Sequence, residues 1–329
     1  MASKIPIALV LSCLLLLSAC GGGNKEGKEG EPFTTQAHTG TEGITLKFLN
    51  DLPPREVYYS GDVQIPSEIP VMIEVRNKGA YETSPNFYLD GYDPTILAFY
   101  NSEDNGRYEY FEQVDSLEGK SNANPEGGYQ VYEFRGDVET WPEGLDAYDF
   151  KLKVTACYDY ETVANPLVCI DPRPFYKTED KACRITPVAM AGGQGAPVAV
   201  TSISEQGTES KVHFSIKIKN VGTGVVFDSL DHFCTSSVES GDCCPYSIPL
   251  TKVNVVNYNV DFMESDLSSG IECKPEGGRV RLVDGIGSIF CTVNTPQNRD
   301  SAFKTPLTIT LNYGYKSWIE RDVRIRNAQ

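Results

Sequence analysis

The sequence predicts an all-β protein: two tandem β-sandwiches that follow an N-terminal leader and a flexible tether. Segments that alternate apolar and polar residues recur about every ten to twenty positions from residue 44 onward, the pattern of half-buried strands. No stretch holds a helical apolar period for three or four turns, and glycine and proline are spread throughout. The strand order of the first half nearly repeats in the second.

The leader comes first. Lys4 precedes an apolar run from Ile5 to Leu17, shorter than the roughly twenty residues a bilayer-spanning helix needs. Leu17-Ser18-Ala19-Cys20 resembles the lipobox at which prokaryotic lipoproteins are cut and acylated. Residues 1–19 are therefore expected to be a lipoprotein signal peptide, with Cys20 lipidated and the protein extracytoplasmic and membrane-anchored through that lipid. An ordinary signal peptide cut after Ala19, or an uncut anchor, would use the same run. Residues 20–43 are expected to form a tether, because Gly21 to Glu31 (Gly-Gly-Gly-Asn-Lys-Glu-Gly-Lys-Glu-Gly-Glu) has no apolar residue whose burial could offset ordering entropy.

The first sandwich is expected over 44–160. Its strands are Ile44 to Leu49, Val71 to Val75 with a turn at Asn77 to Gly79, Tyr129 to Phe134 and Tyr148 to Cys157. Ile96 to Tyr100 and Tyr108 to Glu112 flank Asn105-Gly106, a strong hairpin dipeptide. A Pro/Gly/Cys-rich connector is expected over 161–196. Its Gly192-Gly-Gln-Gly lacks the lysine and the strand–loop–helix setting of a phosphate loop, so a linker is the better reading. The second sandwich is expected over 197–329. Its strands are Pro197 to Ile203, Val212 to Lys219, Val253 to Val260, Leu307 to Tyr315 and Val323 to Arg326, with a hairpin turning at Asp284-Gly285.

The halves echo each other. Ile73-Glu-Val-Arg-Asn-Lys-Gly matches Ile216-Lys-Ile-Lys-Asn-Val-Gly, and Leu152-Lys-Val-Thr-Ala-Cys-Tyr-Asp-Tyr matches Leu307-Thr-Ile-Thr-Leu-Asn-Tyr-Gly-Tyr. Two copies of one immunoglobulin-like sandwich account for this. The strand with its Asn-X-Gly turn resembles that of cell-adhesion-related immunoglobulin-like domains of prokaryotic surface proteins. The wider set of Val168-Cys-Ile-Asp-Pro, Gly192-Gly-Gln-Gly-Ala-Pro-Val-Ala-Val-Thr and Thr305-Pro-Leu-Thr-Ile-Thr-Leu-Asn-Tyr-Gly-Tyr is similar to an uncharacterised family of archaeal exported proteins. That resemblance spans about 44 to 329. It implies a surface location and a two-sandwich fold, and no activity.

Forty-five acidic residues face 29 basic ones, a net charge of −16. Such a balance excludes nucleic acid as a partner, whose phosphates require a cationic face. Eight cysteines lie beyond Cys20: Cys157, Cys169, Cys183, Cys234, Cys243, Cys244, Cys273 and Cys291. An even number behind an export signal reads as a disulfide framework. Three precede Gly192 and five follow, so full pairing requires an odd number of bridges to cross between the halves. Cys157–Cys169 and Cys273–Cys291 are expected as short loops, with Cys243 and Cys244 bonded separately to Cys234 and Cys183.

Asn101, Glu103, Asn105, Glu109 and Glu112 fall at ligand positions of an EF-hand-type calcium loop, with Gly106 at the turn. The flanking segments read as strands, so a hairpin explains the residues better, and no metal or cofactor is expected. His232 and Cys234 with Cys243-Cys244 lack zinc-finger spacing. No nucleophile elbow or metalloprotease motif occurs. Tyr88, Tyr92, Tyr100, Tyr108, Tyr110, Tyr129 and Tyr132 are candidates for an aromatic face toward a surface protein or glycan, or for half-buried strand positions. The expected function is non-enzymatic: adhesion, envelope structure or partner binding. The alternative is a sugar-capturing lipoprotein that serves a transporter or surface hydrolase system.

Overall fold

A computed structural model describes residues 38–61, 68–101, 107–108, 112–113, 115–176, 181–208, 210–229, 248–296, 299 and 301–328. Cys20, the leader and most of the tether lie outside the described residues. Residues 34–329 form one compact unit.

The first half supplies β1 (Ile44–Phe48), β2 (Glu56–Tyr59), β3 (Ile69–Asn77), β4 (Asn86–Asp90), β5 (Leu97–Asn101), β6 (Arg107–Tyr108), β7 (Glu112–Gln113), β8 (Tyr129–Val138) and β9 (Ala147–Ala164). Then come β10 (Leu167–Ile170) and β11 (Val188–Ala189). The second half supplies β12 (Val198–Gly207), β13 (Lys211–Asn220), β14 (Val225–Phe227), β15 (Val255–Phe262), β16 (Glu272–Lys274), β17 (Arg279–Arg281), β18 (Ile286–Asn294) and β19 (Phe303–Asn327), with one helical turn, α1 (Ser265–Ser268). The expected boundary at 160/161 falls inside β9, and residues 161–196 contribute the end of β9, β10 and β11.

Two five-stranded sheets, β1-β3-β8-β5-β6 and β11-β12-β13-β18-β16, flank a central sheet ordered β17-β15-β19-β9-β4-β7. All 18 residues of β9 pair antiparallel with β19, from Ala147↔Arg326 to Ala164↔Ile309. The ladder is about 60 Å long at the usual rise per residue. Strand alternation explains its packing. On β19 the odd positions Leu307, Ile309, Leu311, Tyr313, Tyr315, Val323 and Ile325 are buried, and on β9 the even positions Phe150, Leu152, Val154, Tyr158 and Tyr160 are buried. These positions face each other in the register, so both outer sheets cover the same face. One contiguous core results, drawing on both halves.

The register carries a pseudo-two-fold relation. Asp159 faces Gly314 at its centre, flanked by Tyr158↔Tyr315 and Tyr160↔Tyr313. Exchanging the repeats at the 155-residue offset maps the first of these flanking pairs onto the second. Elsewhere β1, β3, β4, β8 and β9 correspond to β12, β13, β15, β18 and β19. Ile44↔Asn77 corresponds to Val198↔Asn220, and Asn86↔Cys157 to Asn257↔Asn312.

Two segments differ from expectation for identifiable reasons. Leu307–Tyr315 and Val323–Arg326 belong to one 25-residue strand, because inward parity continues through Ile319 and Arg321. The end of the expected tether is fixed: the Gly40 amide donates to Gly192 O (2.7 Å), the Gly195 amide to Gly40 O (3.0 Å) and the Lys78 amide to Gly43 O (2.9 Å).

The disulfide expectations need correction. Cys169 is bonded to Cys183, not to Cys157, so Cys183 is not the partner of Cys243 or Cys244. Cys169 sits on β10, which pairs with the start of β19 and lies beside the loop holding Cys183, whereas Cys157 lies on the outward face of the central sheet. Cys273 is bonded to Cys291, its direct neighbour across β16 and β18. Cys157 is disulfide-bonded as well. Cys234, Cys243 and Cys244 lie outside the described residues. These bridges fit an oxidising, extracytoplasmic setting. Among the described residues no helix is long and apolar enough to cross a membrane.

Candidate functional site

Two places concentrate polar chemistry: the waist where the repeats meet, and a depression on the outer edge of the second repeat.

At the waist, Tyr158, Tyr160, Tyr313 and Tyr315 are all buried, between 0% and 4% exposed. Three of their hydroxyls hold backbone. Tyr160 Oη donates to Asn77 Oδ1 (3.1 Å) and accepts from the Tyr81 amide (3.2 Å). Tyr315 Oη donates to Asn220 Oδ1 (3.3 Å) and accepts from the Gly224 amide (2.7 Å). Tyr313 Oη accepts from the Val198 amide (3.2 Å) and donates to Thr162 Oγ1 (3.0 Å), whose own proton goes to Val198 O (2.7 Å). Tyr158 points at the corresponding Ile44 but reaches no hydrogen bond of normal geometry. Burial raises all four phenols above their ordinary values. A buried phenol held neutral and bonded to backbone is a structural clamp.

The Gly-Gly-Gln-Gly loop is part of the same joint. Gln194 is buried and mimics a strand neighbour, its Oε1 accepting from the Val200 amide (2.9 Å) and its Nε2 donating to Val200 O (3.3 Å). The Gly195 amide is used on Gly40, and Gly195 O accepts from the Ala80 amide (2.7 Å).

The depression has a volume of about 360 Å³ and is lined by Thr251, Lys252, Val255, Arg279, Val280 and Arg281. Asp228 lies behind it, fully buried. Its carboxylate accepts from Lys252 Nζ (2.9 Å), Asn257 Nδ2 (3.0 Å) and Arg279 Nη2. The Asp228 amide donates to Lys252 O (2.9 Å), which ties the end of β14 to the 249–253 turn. Arg281 closes that turn, donating to Leu250 O (3.1 Å), Val253 O (2.8 Å) and Thr251 O (2.7 Å). Asn254, at φ +57°, and the edge strand β17 hold the cations on one side.

Two of the five calcium candidates are described. Asn101 ends β5 in one outer sheet, while Glu112 lies on β7 of the central sheet; Glu103, Asn105 and Glu109 lie outside the described residues. Among the described residues no group of three or more His, Cys, Asp and Glu could hold a metal. His213 Nδ1 meets Thr292 Oγ1 at 3.0 Å on an exposed strand surface; His232 is not described.

The tyrosine candidates scatter. Tyr88 is buried under Lys316, whose Nζ is 5.4 Å from the ring centroid. Tyr92 packs edge-on against Phe99 at 4.8 Å, and Tyr132 against Phe87 at 5.0 Å. Tyr100 Oη donates to Glu139 Oε1 (2.6 Å), and Tyr129 is exposed beneath Arg76. The side chain of Tyr108 and all of Tyr110 are not described. Strand alternation sends the described ones to different faces, so these form no single aromatic face. The depression was not singled out in the sequence, because Asp228, Lys252 and Arg279 have separations that make no motif.

No protein-family model matches the chain, and no curated protein matches it. Solved structures give distant likenesses. The YadV chaperone is 13% identical, covering 86% of this chain and all of that one, with a TM-score of 0.19. The secreted serine protease VesC from Vibrio cholerae is 9% identical, covering 82% of this chain and half of that one, at 0.20. The CupB6 tip adhesin from Pseudomonas aeruginosa is 10% identical, covering 88% and 97%, at 0.19. At these scores they carry no argument about fold or function.

Proposed function

We propose that this is a lipid-anchored extracytoplasmic protein whose two immunoglobulin-like sandwiches act without enzymatic chemistry, in adhesion, envelope structure or partner binding. In each repeat the strand order supports that topology. The first repeat lays β1-β3-β8-β5 against β4-β9, in the positions of an immunoglobulin A-B-E-D sheet and its C-F pair. The G position beside each F strand is filled by the F strand of the other repeat. The observation that carries the reading is this mutual completion. The full-length β9–β19 ladder and the four waist tyrosines fix the repeats against each other, which suits presenting surfaces at constant geometry. The anchor rests on Leu17-Ser18-Ala19-Cys20 and on the disulfides.

Mass spectrometry of protein extracted from native membranes tests this reading. A chain that begins at an acylated Cys20, with paired sulfhydryls and retention of envelope material by the immobilised protein, is the expected result. Met1 retained with free sulfhydryls throughout overturns it.

A further inference from the structure

We propose that the depression beside Asp228 binds the carboxylate of a uronic-acid residue in an acidic polysaccharide. This deepens the partner-binding reading by naming a ligand class, and it does not depend on the anchor.

Charge is the first argument. The chain carries 45 acidic residues against 29 basic, yet of the six described residues that line this depression three are cations and none is acidic. Asp228 neutralises one positive charge from behind the wall, leaving an excess of two among the described residues. The arrangement also has spare donors. A guanidinium offers five N–H groups and an ammonium three. Arg279 uses one on Asp228 and Lys252 one. Their side chains remain 45% and 30% exposed. Asp228 fixes where both cations point, so an incoming anion meets oriented donors.

The second argument comes from the other repeat. Asn257 corresponds to Asn86 by its place in the ladder. Opposite Asn257 stands Arg279; opposite Asn86 stands Gln113, a neutral amide. At this ladder position the duplicated scaffold carries an amide in one copy and a cation in the other.

Shape selects the ligand. The volume lies near the small end of the range of about 300–1,000 Å³ typical of ligand sites, a match for one or two sugar rings. Val255 and Val280 give an aliphatic floor, and Leu250, 86% exposed, stands beside Thr251 at the rim. A pyranose uronate has an apolar C–H face and a carboxylate at one edge, which matches a floor of valines beside a row of cations. An acidic peptide is the poorer occupant, because peptides add to long sheet edges and β17 is only three residues long.

Calorimetry on the disulfide-intact exported chain tests the inference with tri-galacturonate, its methyl ester, sulfate and a glutamate-rich peptide. The acid is expected to bind at least about tenfold more tightly than its ester and to weaken as salt rises from 50 to 300 mM. Arg279→Gln, which copies the amide of the first repeat, should weaken binding about tenfold, while Arg279→Lys should lose less. Melting curves establish that each variant is folded. If Arg279→Gln fails to fold, the acid-against-ester comparison on the unaltered chain decides. Equal binding of acid and ester, tighter binding of peptide or sulfate, an unaffected folded Arg279→Gln, or no heat at millimolar saccharide overturns the proposal. None of these results bears on whether Cys20 is acylated, so the two readings fail separately.

Discussion

The two repeats use the same joint in different surroundings. In the first, Asn77, Gly79 and Tyr160 meet beneath the Gly40 and Gly195 backbones; in the second, Asn220, Gly222 and Tyr315 meet beside Pro197. Each glycine is needed because the tyrosine hydroxyl occupies the place a Cβ would take. The edges diverge: Asn86 and Gln113 in one repeat, Asn257, Arg279 and buried Asp228 in the other. The interior of the joint is kept because both repeats need it to hold the shared sheet, whereas the edge was free to acquire charge.

The largest expected effect comes from filling the two glycines. A Cβ at position 79 would meet the Tyr160 hydroxyl and also the carbonyl oxygens of Gly195 and Glu42, which are backbone and cannot swing aside. At position 222 its neighbours are the Tyr315 and Pro197 side chains. Gly79→Ala should cost about 3 kcal/mol and Gly222→Ala about 1–2 kcal/mol, in the range for overpacking. Urea midpoints with disulfides intact measure both. Equal or reversed losses would mean that the first joint is no more rigid than the second.

Removing a hydroxyl tests the same comparison more gently. Tyr160→Phe takes the acceptor from the Tyr81 amide and one of two donors from the Oδ1 of Asn77, which is wholly buried and keeps the Gly79 amide at 3.1 Å. Tyr315→Phe likewise takes the acceptor from the Gly224 amide, but in a half-exposed setting where water can replace it, and Asn220 still donates to Gly224 O at 2.9 Å. Unpaired buried groups cost about 1–3 kcal/mol each. The expected losses are about 2 kcal/mol at Tyr160 and about 1 kcal/mol at Tyr315, read from the same unfolding curves. A larger loss at Tyr315 would show that water reaches the first joint.

Much of this joint was legible. Asn77-Lys-Gly and Asn220-Val-Gly, with the Tyr-X-Tyr pairs at 158–160 and 313–315, appear in sequence as echoes, and the structure makes them partners in one bond set. Asp284 and Gly285 read as a turn, and both adopt positive φ. The fusion of the repeats was harder to see. A strand shows which of its faces is apolar and not which strand lies beside it, so β9 and β19 each read as the end of a separate sandwich. The continuous odd parity from Leu307 to Ile325 was the available signal, obscured by Lys316, Glu320 and Asp322 on the outward face. The Asp228 cluster was illegible because a buried acid far from its cations in sequence leaves no periodicity or spacing to read.

The smallest effect concerns a carboxylate that only the second repeat possesses. β1 stops at Phe48, opposite Ile73, whereas β12 continues to Gly207, opposite Val212. Glu205 stands on that extension, opposite a residue equivalent to Val71, and it is 8% exposed beside the Cys169–Cys183 bridge. Burial pushes its carboxyl up to about 7, with the Cys169 amide, which donates to Oε2 at 3.1 Å, acting in opposition. Because the folded value lies above the unfolded one, near 4.5, the folded state binds the proton more tightly. That stabilisation is full below about 4.5 and is lost as pH rises through about 7. The loss should be about 1 kcal/mol, since the carboxylate keeps partial access to water. Glu205→Gln keeps an acceptor for the Cys169 amide but cannot ionise, so its stability should stay level over the same interval. Urea midpoints for both proteins between pH 5 and 8 test this. Parallel curves would mean that Glu205 ionises in the folded state as freely as in the unfolded chain, and that the extension of β12 shields nothing that the shorter β1 leaves open.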